Sequence, residues 1–325
     1  MNAPQTVSVV IPFYGDPAPT QGLIRSLLED PSEHLHEVIV SDDCSPAPFP
    51  ATEGVSVVRR RRNGGFAQAV GSGARAATGE LLLILNSDLE LPPAFLDSLV
   101  ARALPWMPAL VTTTLTSCDG HPSWSGRHFP RTHHYVTEWL LPLVRLRHLP
   151  LLHELVGHDT TADGTHDEVV DWAVGALMLL PTDTYRAVGG MDESFYMNCE
   201  EVDLQRRLRE AGVPTLVLAG PGATHEGGGS SDAGRRVGWV VDGRRRYARK
   251  WQGTAGLRRL EAGLLAATAV NLLWNSARAV AGAELHPLEV ARTQWALVLH
   301  PEQHVPPANR HGARCTHLVG SAHAS

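Results

Sequence analysis

Aliphatic runs alternate with amphipathic stretches along most of this chain, and polar residues break the early runs at their carboxyl ends. Residues 7–11 form the first run, stopped by Pro12, after which Leu23, Ile24, Leu27 and Leu28 mark one helical face. Val38-Ile39-Val40 predicts a second strand ending on Ser41-Asp42-Asp43. Residues 55–58 predict a third, which runs into Arg59-Arg60-Arg61-Arg62 and Asn63-Gly64-Gly65-Phe66. A helix from about 67 to 77 closes at Gly79 and leads into Leu81-Leu82-Leu83-Ile84-Leu85. Five aliphatic residues in a row read as a strand buried on both faces. The alternation predicts an α/β fold, a Rossmann-like, mostly parallel, doubly wound sheet with right-handed crossovers and helices on both faces.

Past Pro92-Pro93 a helical pattern runs through Leu99 and Ala103, and Leu110-Val111 then enters Thr112-Thr113-Thr114. From 117 to about 166 the periodicity is lost, apart from one helical stretch near 136–146, and a stretch this long and irregular reads as a binding loop. Order returns at 169–180, a strand whose Gly175 signals a bulge or a close approach of backbone or ligand. Gly189-Gly190-Met191-Asp192-Glu193 forms a turn. Asn198-Cys199-Glu200-Glu201-Val202-Asp203-Leu204 enters a helix with Leu204, Leu208 and Ala211 on one face, and Gly212 and Pro214 end it. Residues 215–218 predict a strand that delivers His225-Glu226-Gly227-Gly228-Gly229-Ser230-Ser231. A basic segment from Arg235 to Trp251 precedes a helix over 257–280, which Arg258, Arg259, Glu261, Asn271, Asn275 and Arg278 make too polar to span a bilayer. Packing on the main domain is the favoured reading of that helix, and a membrane-surface helix the alternative. Residues 284–325, rich in Pro and His, read as a loosely ordered tail.

Composition narrows this picture only slightly. A chain of 325 residues, 43% hydrophobic and 19% charged, can bury a large core and is ordinary for a soluble protein, while a net charge of -6 argues against a general nucleic-acid binder. Cys44, Cys118, Cys199 and Cys315 are far apart and form no CxxC, which suggests neither a disulfide framework nor a zinc site and fits a reducing compartment. The first five residues lack a signal-peptide pattern, so a cytoplasmic location is expected. Candidate chemistry sits at Asn86-Ser87-Asp88, because ligands of parallel sheets bind at carboxyl strand ends. A carboxylate there suits Mg²⁺ or Mn²⁺ together with phosphate oxygens, although the same triplet also fits a plain turn.

Taken in order, eight motifs resemble family 2 glycosyltransferases of the GT-A fold, closest to the rhamnosyltransferase-like and galactofuranosyltransferase-like branch. They are Val9-Val10-Ile11-Pro12, Asp42-Asp43, Asn63-Gly64-Gly65-Phe66, Asn86-Ser87-Asp88, Asp171-Trp172 with Gly175-Ala176, Gly189-Gly190-Met191-Asp192-Glu193, Glu200-Glu201-Val202-Asp203-Leu204, and His225-Glu226-Gly227-Gly228-Gly229. The resemblance covers about 7–251. It implies a 1–232 catalytic domain, with a nucleotide-sugar half to about 116 and an acceptor half beyond, followed by C-terminal helices over 233–283.

The resemblance further implies inverting transfer from a nucleoside-diphosphate sugar, with dTDP- or UDP-sugars favoured, to a glycan or lipid-linked acceptor. Peripheral contact with the inner membrane face would suit such an acceptor. Donor contacts are expected from Pro12, Tyr14, Asp42, Asp43, Arg62, Asn63, Gly64, Gly65, Asn86, Ser87 and Asp88, and acceptor contacts from Trp172 and Gly175. Asp88 and His225 would hold Mn²⁺ or Mg²⁺, with Asn86 departing from the family's usual acidic position, and the glycines after His225 would form a lid. The general base is expected among Glu200, Glu201 and Asp203, with Glu201 favoured. Asn198 and Glu201 also have capping-box spacing, a purely structural alternative. Two competing functions are an inactive nucleotide-sugar-binding module and a sugar nucleotidyltransferase; the latter would need a glycine-rich basic loop where Pro12-Phe13-Tyr14-Gly15-Asp16 stands.

Overall fold

The structure is a computed structural model that describes residues 5–118, 120, 123–146, 148–225 and 233–303. The expected glycine-rich lid and the tail beyond 303 lie outside the described residues. The first half alternates as expected: β1 (Val7–Phe13), α1 (Pro17–Glu29), β2 (Leu35–Asp42), β3 (Val55–Arg59), α2 (Phe66–Ala76) and β4 (Leu81–Leu85). Then come the short β5 (Leu89–Glu90), α3 (Phe95–Ala103) and β6 (Leu110–Ser117). The expected irregular stretch holds β7 (Gly126–Arg127), α4 (Thr132–Trp139) and α5 (Pro150–Leu155). After it follow β8 (Glu168–Val170), β9 (Trp172–Ala173), β10 (Leu177–Pro181), α6 (Thr182–Ala187), α7 (Glu200–Glu210), β11 (Thr215–His225), α8 (Ala233–Val280) and α9 (Pro287–Leu299).

The main sheet has the order β3-β2-β1-β4-β10-β6-β11-β5, with β8 also paired to β11. Strands β3, β2, β1 and β4 run parallel, as do β6 and β11, whereas β10 is antiparallel to both β4 and β6. The insert between β6 and β10 therefore leaves and re-enters the sheet at one rim, the rim where β4 ends. Burial follows the pleat. Leu83 and Leu85 face a layer with Leu23, Ile24 and Leu27 of α1 and Leu99 of α3, whereas Leu82 and Ile84 face Val70 and Ala74 of α2 and Leu204 and Leu208 of α7. Burying such a side chain fully contributes about 1.5–3 kcal/mol.

Four expectations need correction. The 169–180 run is three strands rather than one, because Asp171 turns away to accept from the Phe129 N–H at 2.9 Å and Trp172 pairs with Arg127 in a separate two-stranded sheet. The helix expected near 136–146 begins at Thr132 and continues past Trp139 as a 3-10 turn over Leu141–Leu146. The tail expected from 284 includes α9, which buries Ala291 and Val298 against α8. The capping box is also absent, since Cys199 is the N-cap of α7 and makes no side-chain cap hydrogen bond.

Helix α8 is a 48-residue run broken at Gly253, whose φ of 68° only glycine adopts at little cost. It packs on the rest of the chain as favoured. Leu260 and Leu264 join Tyr135 in a cluster, and Trp139 donates to Thr268 at 2.9 Å. Asn271 is 1% exposed and binds three partners: it accepts from the Leu141 N–H at 2.8 Å and donates to Trp139 O at 2.9 Å and Gln294 Oε1 at 3.3 Å. Just before the Gly253 break, Lys250 lies 2.7 Å and Trp251 Nε1 2.9 Å from Asp203 Oδ1.

The end of β2 shows how loops at the rim are built. Asp42 is fully buried, accepts from the Ser45 N–H at 2.8 Å and the Phe49 N–H at 3.1 Å, and pairs with Arg59. Its carboxylate folds the loop 43–49. Asp42→Ala, which orphans these donors, is expected to lower stability by about 1–3 kcal/mol, read as a lower urea midpoint with an unchanged slope. Asn271→Ala should cost a similar amount, about 1–3 kcal/mol; an unaltered midpoint would show that α8 is not held by this side chain.

Candidate active site

A cavity of about 330 Å³ opens at the carboxyl ends of β1 and β4, lined by Pro12, Tyr14, Asp43, Asn63, Gly65, Asn86, Ser87, Asp88 and His225 among others. These nine were expected to meet donor or metal. Asp43 organises one wall: its carboxylate accepts from the Gly64 N–H at 2.9 Å and the Gly65 N–H at 2.7 Å and pairs with Arg60. Burial pushes this carboxyl up to about 6, against the pull of the glycine N–H groups and the Arg60 guanidinium. Gly65 has φ 83°, and a Cβ there would lie 1.8 Å from Tyr196 O, the atom that accepts from the Phe66 N–H at 3.0 Å. Only glycine lets the start of α2 meet the 195–199 turn this closely.

The second wall carries the expected cation ligands. β11 is irregular between Leu218 and Ala223, then pairs with β5 so that His225 stands opposite Leu89, next to Asp88. His225 Nε2 consequently lies 3.2 Å from Asp88 Oδ1 and 3.2 Å from Asn86 Nδ2. In the tautomer with Nε2 unprotonated, that nitrogen accepts from the Asn86 amide, and a cation between it and Asp88 would take the same lone pair. Asn86 Oδ1 is buried without a partner at the same place. An imidazole nitrogen and a carboxylate oxygen on a cleft suit a divalent ion that also takes phosphate oxygens, so the residues present fit Mn²⁺ or Mg²⁺.

Through Phe66, Asn86, Met197, Asn198 and His225 this cavity adjoins a second of about 320 Å³, which holds Glu200, Glu201, Gly175 and Arg127. Helix α7 opens on two consecutive residues in the left-handed region, Asn198 at φ 71° and Cys199 at φ 70°. Such backbone costs about 1–3 kcal/mol per residue and persists where the surroundings over-determine it. Here it turns Glu200 and Glu201 into the cleft. Both leave Oε2 buried without a partner, as does Asn198 its Nδ2. Burial raises both carboxyls above the ordinary value, with the neighbouring carboxylate adding to the shift at Glu200, whereas helix N–H groups and then Arg127 pull Glu201 down.

Glu201 also lines a third cavity, of about 290 Å³, with Trp172, His134, Tyr135 and Arg244. Gly175 leaves room for it, because a Cβ there would meet Glu201 Cβ at 3.1 Å. Trp172 and Gly175, expected on the acceptor side, thus converge on Glu201.

Not every expected residue reaches the cleft. Asp42 is consumed by its own loop, Arg62 is exposed, and neither lines these cavities. Gly64 contributes its N–H to Asp43 from behind the wall. Asp203 is fully buried and bonded to Arg207 Nε, Lys250 and Trp251, which fastens α7 to α8 and removes it from the candidate bases. Conversely, Arg127, Tyr196, Arg236 and Trp239 line the cavities without having been singled out, and Asn198, expected only as a cap, lines them too. Arg236 and Trp239 lay in the recognised basic segment, so α8, set apart beyond residue 232 in the expected division, in fact walls the first cavity.

Residues 8–162 match the profile of Glycosyl transferase family 2. A 47-residue stretch is 45% identical to Rhamnosyltransferase WbbL of Escherichia coli, covering 14% of this chain and 18% of that one. O-antigen biosynthesis protein RfbC of Myxococcus xanthus is 26% identical over 239 residues, 66% of this chain and 16% of that one. The matches thus span less than a fifth of either relative's length. Among solved structures, GalNAc-T7 with UDP, GalNAc and Mn²⁺ superposes with a TM-score of 0.52 at 17% identity, over 77% of this chain and 51% of that one. Mannosyltransferase PcManGT from Pyrobaculum calidifontis, in complex with GDP-Man and Mn²⁺, gives 0.50 at 16% identity, over 92% and 86%. The structural likenesses concern the fold alone, and the sequence match is a glycosyl transferase family 2 domain over residues 8–162, just under half of the chain.

Proposed function

We propose that the chain moves a sugar, with inversion, from a nucleoside-diphosphate sugar to a hydroxyl of a glycan or lipid-linked acceptor. The observation that carries this reading is the continuity of the cleft: the Asp88–His225 pair at one end and the unpartnered Oε2 of Glu201 at the other share the walls formed by Asn86 and Asn198. Unpartnered buried carboxylates favour an enzyme over an inactive binding module, because a binding module gains nothing from leaving them unsatisfied.

In this reading the nucleotide lies along Pro12, Tyr14 and the Asp43-braced Asn63-Gly64-Gly65 turn. Asn86 and Ser87 meet the ribose or the sugar. Asp88 and His225 would hold Mn²⁺ or Mg²⁺, which supplies positive charge beside the diphosphate when bound. The neighbours solved with UDP or GDP-Man and Mn²⁺ support that class of ligand. Trp172, Gly175 and Arg127 position the acceptor. Its hydroxyl gives its proton to Glu201 as its oxygen bonds to the anomeric carbon, while the opposite C–O bond breaks and its electron pair leaves on the diphosphate. Burial and then the neighbouring Glu201 raise the Glu200 carboxyl well above the ordinary glutamate value. Helix N–H groups and Arg127 offset part of the same burial at Glu201, which favours it over Glu200 as the base. The relatives named for rhamnosyl transfer and O-antigen biosynthesis support a cell-envelope polysaccharide acceptor and a dTDP- or UDP-sugar donor. Peripheral contact with a membrane face is also proposed, on the outward apolar row Val270, Leu273 and Val280 of α8.

Chelation with EDTA is expected to abolish transfer and Mn²⁺ or Mg²⁺ to restore it; full activity in chelator would overturn the role of Asp88 and His225. Glu201→Gln should lower turnover by about 10²–10⁴-fold with donor affinity and melting temperature nearly unchanged, while Glu200→Gln retains most activity. The opposite result assigns the base to Glu200, and two active variants sink the mechanism. Because burial raises the Glu201 carboxyl, activity should fall on acidification with a midpoint above the ordinary glutamate value of about 4.3.

A further inference from the structure

Within the insert, potential ligand atoms from three separate stretches converge. His128 follows β7, Glu154 lies in α5 and Asp159 lies on the loop after it, and one nitrogen or oxygen from each falls within 4.8 Å of the others. His128 Nε2 is 2.9 Å from Glu154 Oε2. The second oxygen of Glu154 is already engaged, accepting from the Thr160 N–H at 2.8 Å and from the Thr160 hydroxyl. Asp159 is held in the same manner, its Oδ1 accepting from the Thr161 N–H at 3.1 Å and the Thr161 hydroxyl at 2.5 Å.

Each carboxylate is thus oriented through one oxygen by a threonine, while the second oxygen of Glu154 meets His128, the arrangement by which outer hydrogen bonds aim metal-ligating groups. The backbone is pinned as well, with His128 N donating to Gly157 O at 2.9 Å and Asp159 N to Gly126 O at 3.1 Å. An ordinary His–Glu ion pair would account for the 2.9 Å contact. It does not account for Asp159, which is 8% exposed and sits beside Glu154 although, among the described residues, neither carboxylate pairs with a lysine or arginine. Two carboxylates brought together at a half-exposed histidine call for a cation to offset their repulsion.

We propose that His128, Glu154 and Asp159 bind a divalent ion, Zn²⁺ by preference, at a site separate from the donor cleft. One imidazole and two carboxylates with a water in the fourth position is a Zn²⁺ donor set, whereas Mg²⁺ and Ca²⁺ favour all-oxygen shells. Among ions that accept mixed nitrogen and oxygen ligands, Zn²⁺ binds more tightly than Mn²⁺. The ion braces α5 and the 156–160 loop to the end of β7, where Arg127 and His128 line the cavity that contains Glu201. The proposal does not rest on the transfer reaction.

The test uses the full chain carrying Asp88→Ala, which removes the donor-side ligand, dialysed against micromolar buffered Zn²⁺. Elemental analysis should find about one Zn²⁺ per chain, and the melting temperature should be higher in Zn²⁺ than in chelator. Adding His128→Ala or, separately, Glu154→Gln should remove both effects; both positions are partly exposed, and either variant alone decides the matter if the other fails to fold. Thr160→Val keeps every ligand and should weaken Zn²⁺ binding about 10–100-fold. No Zn²⁺ uptake by the Asp88→Ala chain, or an undiminished equivalent in His128→Ala, overturns the proposal.

Discussion

A strand whose side chains are all aliphatic and all buried can carry polar chemistry only where it stops. β4 lies between β1 and β10, each of its five residues is at most 2% exposed, and two helical layers cover it. Any polar group within it would lose its water without gaining a partner. Its first polar residue, Asn86, is therefore forced to the rim, and the insert that departs from β6 and returns through β10 does so at that same rim. The location of the cleft follows from this burial, and the identity of the residues around it follows from which loops must cross the rim.

The cleft is assembled by making polar groups do different work at similar strand ends. Asp42 and Asp43 are adjacent in sequence, yet one carboxylate folds its own loop and the other braces the start of α2. Glu200, Glu201 and Asp203 open one helix, yet Asp203 is tied to Lys250 and Trp251 while the glutamates are left unsatisfied toward the cavities. Local spacing does not separate these roles. The separation comes from tertiary neighbours: Arg59 for Asp42, the glycine N–H groups for Asp43, and α8 for Asp203.

That contrast marks what was legible in the chain. Continuous aliphatic runs revealed β1, β2 and β4, and the acidic residues after Cys199 revealed the start of α7, because burial on both faces and helix entry leave local signatures. The break of 169–180 into three strands was hidden, since it depends on Asp171 bonding to Phe129 and Trp172 pairing with Arg127 across the insert. Arg127 was overlooked for the same reason: nothing in its sequence neighbours announces that it will stand beside Glu201. Asn198 was legible only as a cap, because its local spacing does not reveal that it and Cys199 both take left-handed backbone at the entry to α7. Helix α9 was lost among prolines, one of which, Pro287, begins it.

Because Arg236 and Trp239 of α8 wall the first cavity while the same helical run continues past Gly253 to pack on α4, the unit that works is longer than the unit that is recognisable. The family profile ends at residue 162, before both glutamates, before His225 and before α8. A chimaera joined at that boundary would inherit β1 through β6 from one parent and the opposing wall from another, with Gly65 and Tyr196, which meet at less than a Cβ's width, drawn from different lineages. Recombination of this chain is then constrained to exchange everything from β1 through α8 as one block, or to bring a matched partner for that contact.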